Sequence, residues 1–392
     1  MNSIKSFVGS GILSLPYGFL NGGWALSIVS FPLICVVAGY CMMSLVDSKN
    51  LLQSFRIRTY ADVGRAAFGH IGQLLIQISL IGYQCGCCCS YMIFVTESLN
   101  ELIPKVKQIY FVPIMIALFL LLSFIRTLKF SAILSIIAIA CLLVGIVMVT
   151  IIFGVEGKSS GTIAAFNWGT FSVFFGIVLY SFEGIGLVLP IYNQMKKPEH
   201  YKKSLVLTLC IVCFLCVTFG LTTYLILLDD TKENITKEID DKYIFPKDIV
   251  ISLLIVSIVV SFHILIYPVY EMIDLTSTFR KLKRKKFSLF MFISAFYRLI
   301  IIGLISIPSF TALKTHFAYV QGIVGATFGC CISFILPAAI HLRIGWYSIS
   351  KYRKVADIAV LVFAIPASIT VTVISIKKLV DVILHPPVTL LV

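Results

Sequence analysis

Charged residues are scarce in this 392-residue chain. Asp, Glu, Lys and Arg make up 13% of it, against roughly a quarter of an ordinary soluble domain. That is too little to cover a globular surface of this length, which excludes a cytosolic enzyme or a string of soluble domains. Long polar segments are missing too. The widest gaps between apolar runs are 47–70, 156–167 and 229–248, and none has room for a separate folded unit. Acids are the rarer charge, 18 against 32 Lys and Arg, yet no basic domain stands apart to hold nucleic acid. A cleavable signal peptide is absent: Gly9 and Gly11 interrupt the first apolar stretch, and no small-residue cleavage site follows it.

Twelve cysteines are present, but nearly all lie inside apolar runs. Cys85, Cys87, Cys88 and Cys89 share one run, and Cys210, Cys213 and Cys216 another. No His or acid stands beside them at ligand spacing, so they read as small core hydrophobes rather than a metal site or a disulfide framework. No cofactor is expected, nor the nucleophile or metal constellation that an enzyme would need.

Apolar residues are what the chain has in excess, 59% of the total, with a mean hydropathy of +1.00. A bilayer-crossing helix needs about 20 apolar residues. Eleven stretches qualify: 4–20, 24–46, 71–99, 110–125, 130–153, 168–192, 204–228, 249–276, 287–307, 317–342 and 358–376. The expected fold is therefore an all-α polytopic membrane protein of about 11 transmembrane helices. With the N-terminus in the cytoplasm, 21 of the 32 basic residues fall in inner segments and 10 in outer ones, while Arg298 lies inside a span. That bias sets the orientation and puts the C-terminus outside or in a lumen. Asn234-Ile235-Thr236, in the long outer gap, is a sequon on the side where glycosylation is possible.

Two spans differ from the rest in the same way. The first contains Gly9-Ser10-Gly11-Ile12-Leu13-Ser14-Leu15-Pro16, and the sixth contains Glu183-Gly184-Ile185-Gly186-Leu187-Val188-Leu189-Pro190. Each has a Gly-x-Gly pair followed by proline. Glycine releases the backbone from helix, and Pro16 and Pro190 each delete an N–H. Unwound backbone is tolerated in a bilayer only where it lines a cavity or is buried in protein. A matched pair of such breaks five helices apart points to an inverted-repeat transporter with its site at the midplane. Freed N–H groups suit a carboxylate and freed carbonyls an ammonium group, so an amino acid fits both.

The stretch Gly9–Trp24 (GSGILSLPYGFLNGGW) closely resembles the opening helix of the amino acid/auxin permease family. Thr59-Tyr60-Ala61-Asp62-Val63-Gly64 is similar to that family's Thr-Tyr-x-Asp segment. Tyr180–His200 (YSFEGIGLVLPIYNQMKKPEH) resembles its sixth-helix signature, and Gly325–Leu342 its tenth helix. The resemblance covers essentially the whole chain. It implies a leucine-transporter-like 5+5 inverted repeat with broken helices 1 and 6: one transporter domain with repeats over 4–153 and 168–342 and an extra helix at 358–376. Family members carry a cytoplasmic tail before the first helix, whereas eight residues precede Gly9 here, so either the tail is minimal or the chain start is truncated.

The expected substrate site is the backbone of Gly9, Ser10 and Gly11 for the carboxylate. The backbone around Ser181, Phe182, Gly184 and Gly186 receives the amino group, and Tyr91, placed by the resemblance, shapes the pocket. Glu183 is an ionisable group at mid-membrane, a functional hypothesis by default. It is either a proton acceptor or a carboxylate that caps freed N–H groups without titrating. His263, with Ser257 and Ser261 on adjacent turns, is either part of a proton relay or a neutral core histidine. Gly82 and Gly86 read as a close helix-packing pair. Glu271, Asp274 and Arg298 are expected as an inner-end ion cluster, and Glu97 as a solvated outer-end residue.

Sodium-coupled relatives tend to carry an Asn near Lys5. An ammonium has no lone pair for sodium and would occupy the cation's place, which favours proton over sodium coupling. The expected activity is secondary active amino acid transport by alternating access, in a plasma membrane or a vacuolar or lysosomal one. Sodium coupling, or a receptor of the same fold without net flux, are the alternatives. A divalent-metal transporter would need more ligands than Ser10 at the first break.

Overall fold

The computed structural model describes residues 9–53, 57, 59–124, 128–156, 161–181, 184–195, 197–239, 244–274, 279, 287–311 and 316–384. Every regular element among them is helical. A 3-10 turn at Ser10–Ser14 leads into α1 (Leu15–Gly22), followed by α2 (Trp24–Leu51), α3 (Tyr60–Leu102), α4 (Phe111–Ser123) and α5 (Leu128–Glu156). The sixth span is two helices, α6 (Phe171–Ser181) and α7 (Ile185–Gln194). Then come α8 (Tyr201–Leu227), α9 (Ile244–Asp274) and α10 (Phe287–Phe310). The tenth span is α11 (Phe317–Val324), two π-helical segments at Gly325–Gly329 and Cys331–Ile335, and α12 (Leu336–Gly345). Lys351–Leu384 is α13. Each of the eleven expected spans thus has its helix or broken pair of helices. Among the described residues nine stretches are long and apolar enough to cross a membrane, and 108–123 is a shorter apolar helix.

The surface confirms the solvent. On α13, Val362, Phe363, Ile369 and Val373 are 60–76% exposed, and on α2 so are Val29, Leu33 and Val36. Apolar faces of this extent are stable against lipid, not water.

The chain divides into two compact units. The first holds residues 1–83, 157–231 and 321–392: the first two spans, the start of α3, α6 to α8, α12, α13 and the end of α11. The second holds 84–156 and 232–320: the rest of α3, α4, α5, α9, α10 and the start of α11.

In the first unit α1 lies in a cage of large and small residues. Phe19 meets Phe174 of α6 edge-on at 5.9 Å, and a Cβ at Gly220 of α8 would sit 2.7 Å from the Phe19 ring. Gly23 turns the corner from α1 to α2 at φ 77°, a region that glycine enters without strain. The first N–H groups of α2 have no acceptor within the helix. Those of Trp24 and Ala25 donate instead to Ala164 O and Ala165 O at 3.1 and 3.2 Å.

The start of α3 explains one of the family-like motifs. Thr59 N donates to Asp62 Oδ2 at 2.9 Å, and Asp62 N to Thr59 Oγ1 at 3.2 Å, a reciprocal cap. The Tyr60 hydroxyl donates to Ile332 O at 3.0 Å. A short helix therefore precedes the third span where the sequence reads as a loop, and it bends at Phe68 and Gly69 before the span begins.

In the second unit α5 and α9 pack along their length. Ser257 donates to Ala138 O at 2.7 Å, and Gly145 admits Leu254. Phe119 of α4 stacks on Phe262 of α9 with ring centroids 3.7 Å apart. Arg298 of α10 is 2% exposed, yet its charge is fully engaged. It pairs with Asp274 Oδ2 at 3.1 Å, donates to Ser123 O and lies 4.8 Å from the Tyr270 ring centroid. A desolvated guanidinium needs that many partners.

Candidate functional site

The two glycine-containing motifs meet within the first unit. Ser10 and Gly11 open the 3-10 turn, and the first N–H groups of such a turn lack acceptors within it. Among the described residues no side chain caps them. Pro16 stands in the first turn of α1, where its missing N–H costs nothing, so it marks the change from 3-10 to α geometry. On the other side α6 ends at Ser181 and α7 begins at Ile185, with Gly184 as its N-cap. Pro190 lies inside α7, beyond the break.

Contacts between the breaks are direct. Ser10 Oγ is 3.1 Å from the Tyr180 hydroxyl. A Cβ on Gly11 would fall 2.7 Å from Ser181 Oγ and 3.2 Å from Ser181 Cα, so any larger residue crowds this contact. The Tyr83 hydroxyl donates to Tyr180 O at 2.6 Å, taking up one of the carbonyls in the last turn of α6. Gln321 of α11 closes the group: Nε2 donates to Ser10 Oγ at 3.2 Å, and Oε1 faces Ser14 Oγ. Ser10, Ser14, Tyr180, Ser181 and Gln321 are all buried and all uncharged. Such a site offers backbone dipoles and hydroxyls, which suits a ligand carrying its own two charges.

Of the expected residues, the structure brings together Ser10, Gly11 and Ser181. Gly9 is extended (φ −114°, ψ −160°) and leads into the turn. Gly186 lies in the first turn of α7, where a Cβ would meet Leu80 at an ordinary 3.8 Å. Phe182, Glu183 and Lys5 lie outside the described residues. Tyr91 and His263 are buried in the second unit. The His263 ring is 6.5 Å from that of Tyr267, edge-on, while Ser257 and Ser261 spend their hydroxyls on backbone carbonyls. Gly82 packs against the Phe328 ring of the tenth span.

Tyr180, Tyr83, Ser14 and Gln321 were not foreseen. Gln321 carried a signal, a lone amide in an apolar run, whereas the tyrosines look like any others in a membrane helix.

Two expectations are corrected, those for Glu97 and Glu271, and Asn234 lies beside the first. Glu97 is 4% exposed rather than solvated, because Lys237 and the Asn234 amide cover its two oxygens. Asn234 is 2% exposed; its Nδ2 donates to Glu97 Oε2 at 3.1 Å, and its Oδ1 accepts from Thr236 N. A glycan would be attached through that same nitrogen. Glu271 is exposed, so the inner-end ion cluster reduces to Asp274 and Arg298. Among the described residues no group of three or more His, Cys, Asp or Glu could hold a metal ion.

Residues 1–379 match the family described as transmembrane amino acid transporter protein. Amino acid transporter AVT3A of Arabidopsis thaliana is 27% identical over 390 residues, covering 95% of this chain and 87% of its own. Amino acid transporter ANT1 of the same plant is 27% identical over 392 residues, covering 92% and 87%. Vacuolar amino acid transporter 3 of Saccharomyces cerevisiae is 28% identical over 383 residues, covering 92% of this chain and 54% of its own. A match along nearly its entire length, on an all-helical scaffold among the described residues, makes the chain a member of the transmembrane amino acid transporter family.

Proposed function

We propose that this chain is a proton-coupled secondary transporter of amino acids, working by alternating access in a vacuolar-type membrane with its N-terminus in the cytoplasm. The observation that carries the reading is the direct contact of the two breaks, Gly11 against Ser181 and Ser10 against Tyr180. N–H groups at the start of the 3-10 turn donate to the carboxylate, and carbonyls at the end of α6 accept from the ammonium group.

The unit composition supports a 5+5 repeat over 4–153 and 168–342. Spans 1 and 6 fall in one unit, as do 2 and 7; spans 3 and 8 share the other except for the first part of α3, as do 4 and 9, whereas span 5 lies in the second unit and most of span 10 in the first. The membrane assignment follows the name of the yeast relative, and the orientation follows the basic residues, 21 inner against 10 outer.

The test is uptake of radiolabelled amino acids by liposomes holding the purified chain, with an imposed pH gradient and with or without sodium. Saturable uptake driven by the pH gradient and indifferent to sodium is expected. No saturable uptake of any amino acid refutes transport, and uptake that follows sodium instead refutes proton coupling. Glu183→Gln separates the two roles of that acid. If it titrates, the variant binds substrate but its uptake no longer follows pH; an unchanged pH dependence leaves the capping role.

A further inference from the structure

A second polar cluster lies in the first unit, well along the tenth span from the breaks. Gln321, which touches Ser10, and His341 are 20 residues apart in sequence, about 30 Å of helix. His341 of α12 and Asp357 of α13 are both fully buried, with Nδ1 2.7 Å from Oδ2. The other carboxylate oxygen accepts the Tyr40 hydroxyl of α2 at 2.8 Å. A carboxylate facing Nδ1 requires that nitrogen to carry the hydrogen, which leaves Nε2 with a free lone pair in the neutral ring. Among the described residues Nε2 has no hydrogen-bond partner.

A pair serving only as a staple between helices would have every buried polar atom satisfied. This one keeps an acceptor in reserve. His341 also forms part of the wall of a pocket of about 480 Å³, shared with Asp47, Asn50, Lys202 and Arg353.

We propose that His341, backed by Asp357 and Tyr40, is a proton-binding site of this transporter, filled from that pocket. The inference rests on the proton-coupled reading above and adds the group that carries the proton. With the ring neutral, the pair itself carries one buried negative charge; a proton on Nε2 turns it into an internally balanced ion pair. The other charges facing it come from each packed element. Asp47 of α2 bridges Lys202 of α8 at 2.7 Å and Arg353 of α13 at 2.8 Å. Tyr40 also donates to Arg353 O at 3.2 Å, and Cys41 follows it on α2. Those two cations share one anion, which leaves the trio one positive charge in excess, and the imidazole is the member of the cluster with an unshared lone pair.

The tenth span links this site to the substrate site. Between Gln321 and His341 lie both π-helical segments, and such turns recur where helices change register at functional sites. Protonation at one end thereby biases the amide that holds Ser10 at the other.

The experiment uses the full chain in liposomes, measuring amino acid uptake and dye-reported proton movement from pH 5 to 8. His341→Asn keeps a donor for Asp357 but cannot bind the proton. It should flatten a wild-type pH response, which for coupled ligands runs to about 5–150-fold, while substrate binding, read by thermal shift, persists but no longer varies with pH. Tyr40→Phe removes one donor from Asp357, so the carboxylate holds the imidazolium more tightly. The pH profile of uptake should therefore move, which a purely structural role does not produce. A pH-responsive wild type whose profile His341→Asn and Tyr40→Phe leave unaltered overturns the site and spares proton coupling. A wild type that transports without any pH response overturns both.

Discussion

At position 11 a single methyl group decides whether the two breaks lie against each other. In Gly11→Ala the new carbon would meet Ser181 Oγ at 2.7 Å, Tyr180 Cδ1 at 3.1 Å and Ser181 Cα at 3.2 Å. The hydroxyl can rotate away, but the backbone cannot. Overpacking of this kind costs about 1–3 kcal/mol, which as apparent substrate affinity is about 5- to 150-fold. Uptake titrations should show that loss, and Gly11→Ala with Ser181→Ala should recover only part of it, because the clash with the backbone of residue 181 remains. Wild-type affinity in the single variant would mean that the breaks are not held together.

Arg298 offers a test of stability rather than transport. Arg298→Ala strands the Asp274 carboxylate; because that residue keeps some exposure and the Tyr297 hydroxyl at 2.7 Å, the cost falls toward the lower end of about 3–5 kcal/mol. Adding Asp274→Asn to Arg298→Met should restore much of the melting temperature in detergent, since no charge is then left unpaired. If the double variant melts no higher than Arg298→Ala, the pair is not what holds α9 to α10.

At the scale of elements, the sixth and tenth spans cross through glycine. A Cβ on Gly176 would sit 2.6 Å from Gly322 O and 2.8 Å from Gly322 Cα, whereas one on Gly322 meets nothing nearer than Val173 O at 4.0 Å. Gly176→Ala should therefore lower the melting temperature and the folded yield sharply, and Gly322→Ala should leave both near wild type. Equal effects would mean that the crossing is looser than these distances require. This asymmetry could not be read from the chain, because both residues look like ordinary small positions in membrane helices.

What could be read was whatever depends on local composition. The apolar runs marked all eleven spans, since crossing a bilayer sets both length and hydrophobicity, although α3 begins 11 residues before its run and α13 extends 7 and 8 residues beyond the two ends of its run. Ser10, Gly11 and Ser181 were legible because a break needs its own glycine. Tyr180 and Gln321 were not, since their role lies in partners 170 and 311 residues away. Nor were the π-helical segments, which packing against other spans imposes. The start of α3 was missed for another reason: Thr59 and Asp62 matched a family segment, and their capping role went unread.

For the whole molecule, the surplus of positive charge gives a direction. The 21 basic residues of the inner segments include six at 280–286, while the four at 229–248 stand among seven acids. Lys and Arg flanking a span are retained on the cytoplasmic side, so 280–286 should face the cytoplasm and 229–248 the lumen. Protease cleavage sites inserted in each, in sealed vacuoles, test it: cleavage from outside should cut the first and spare the second, and the reverse pattern overturns the orientation. The same loop tests the fold independently. A lumenal Asn234 satisfies the sequence requirement for a glycan, so sequence and side alone predict a shift in gel mobility on glycosidase treatment. The buried amide of Asn234, held by Glu97, predicts none. If protease protection puts this loop in the lumen and the mobility does not change, the packing of Asn234 against Glu97 accounts for the difference; a shift would mean that the loop stands open when the chain is made.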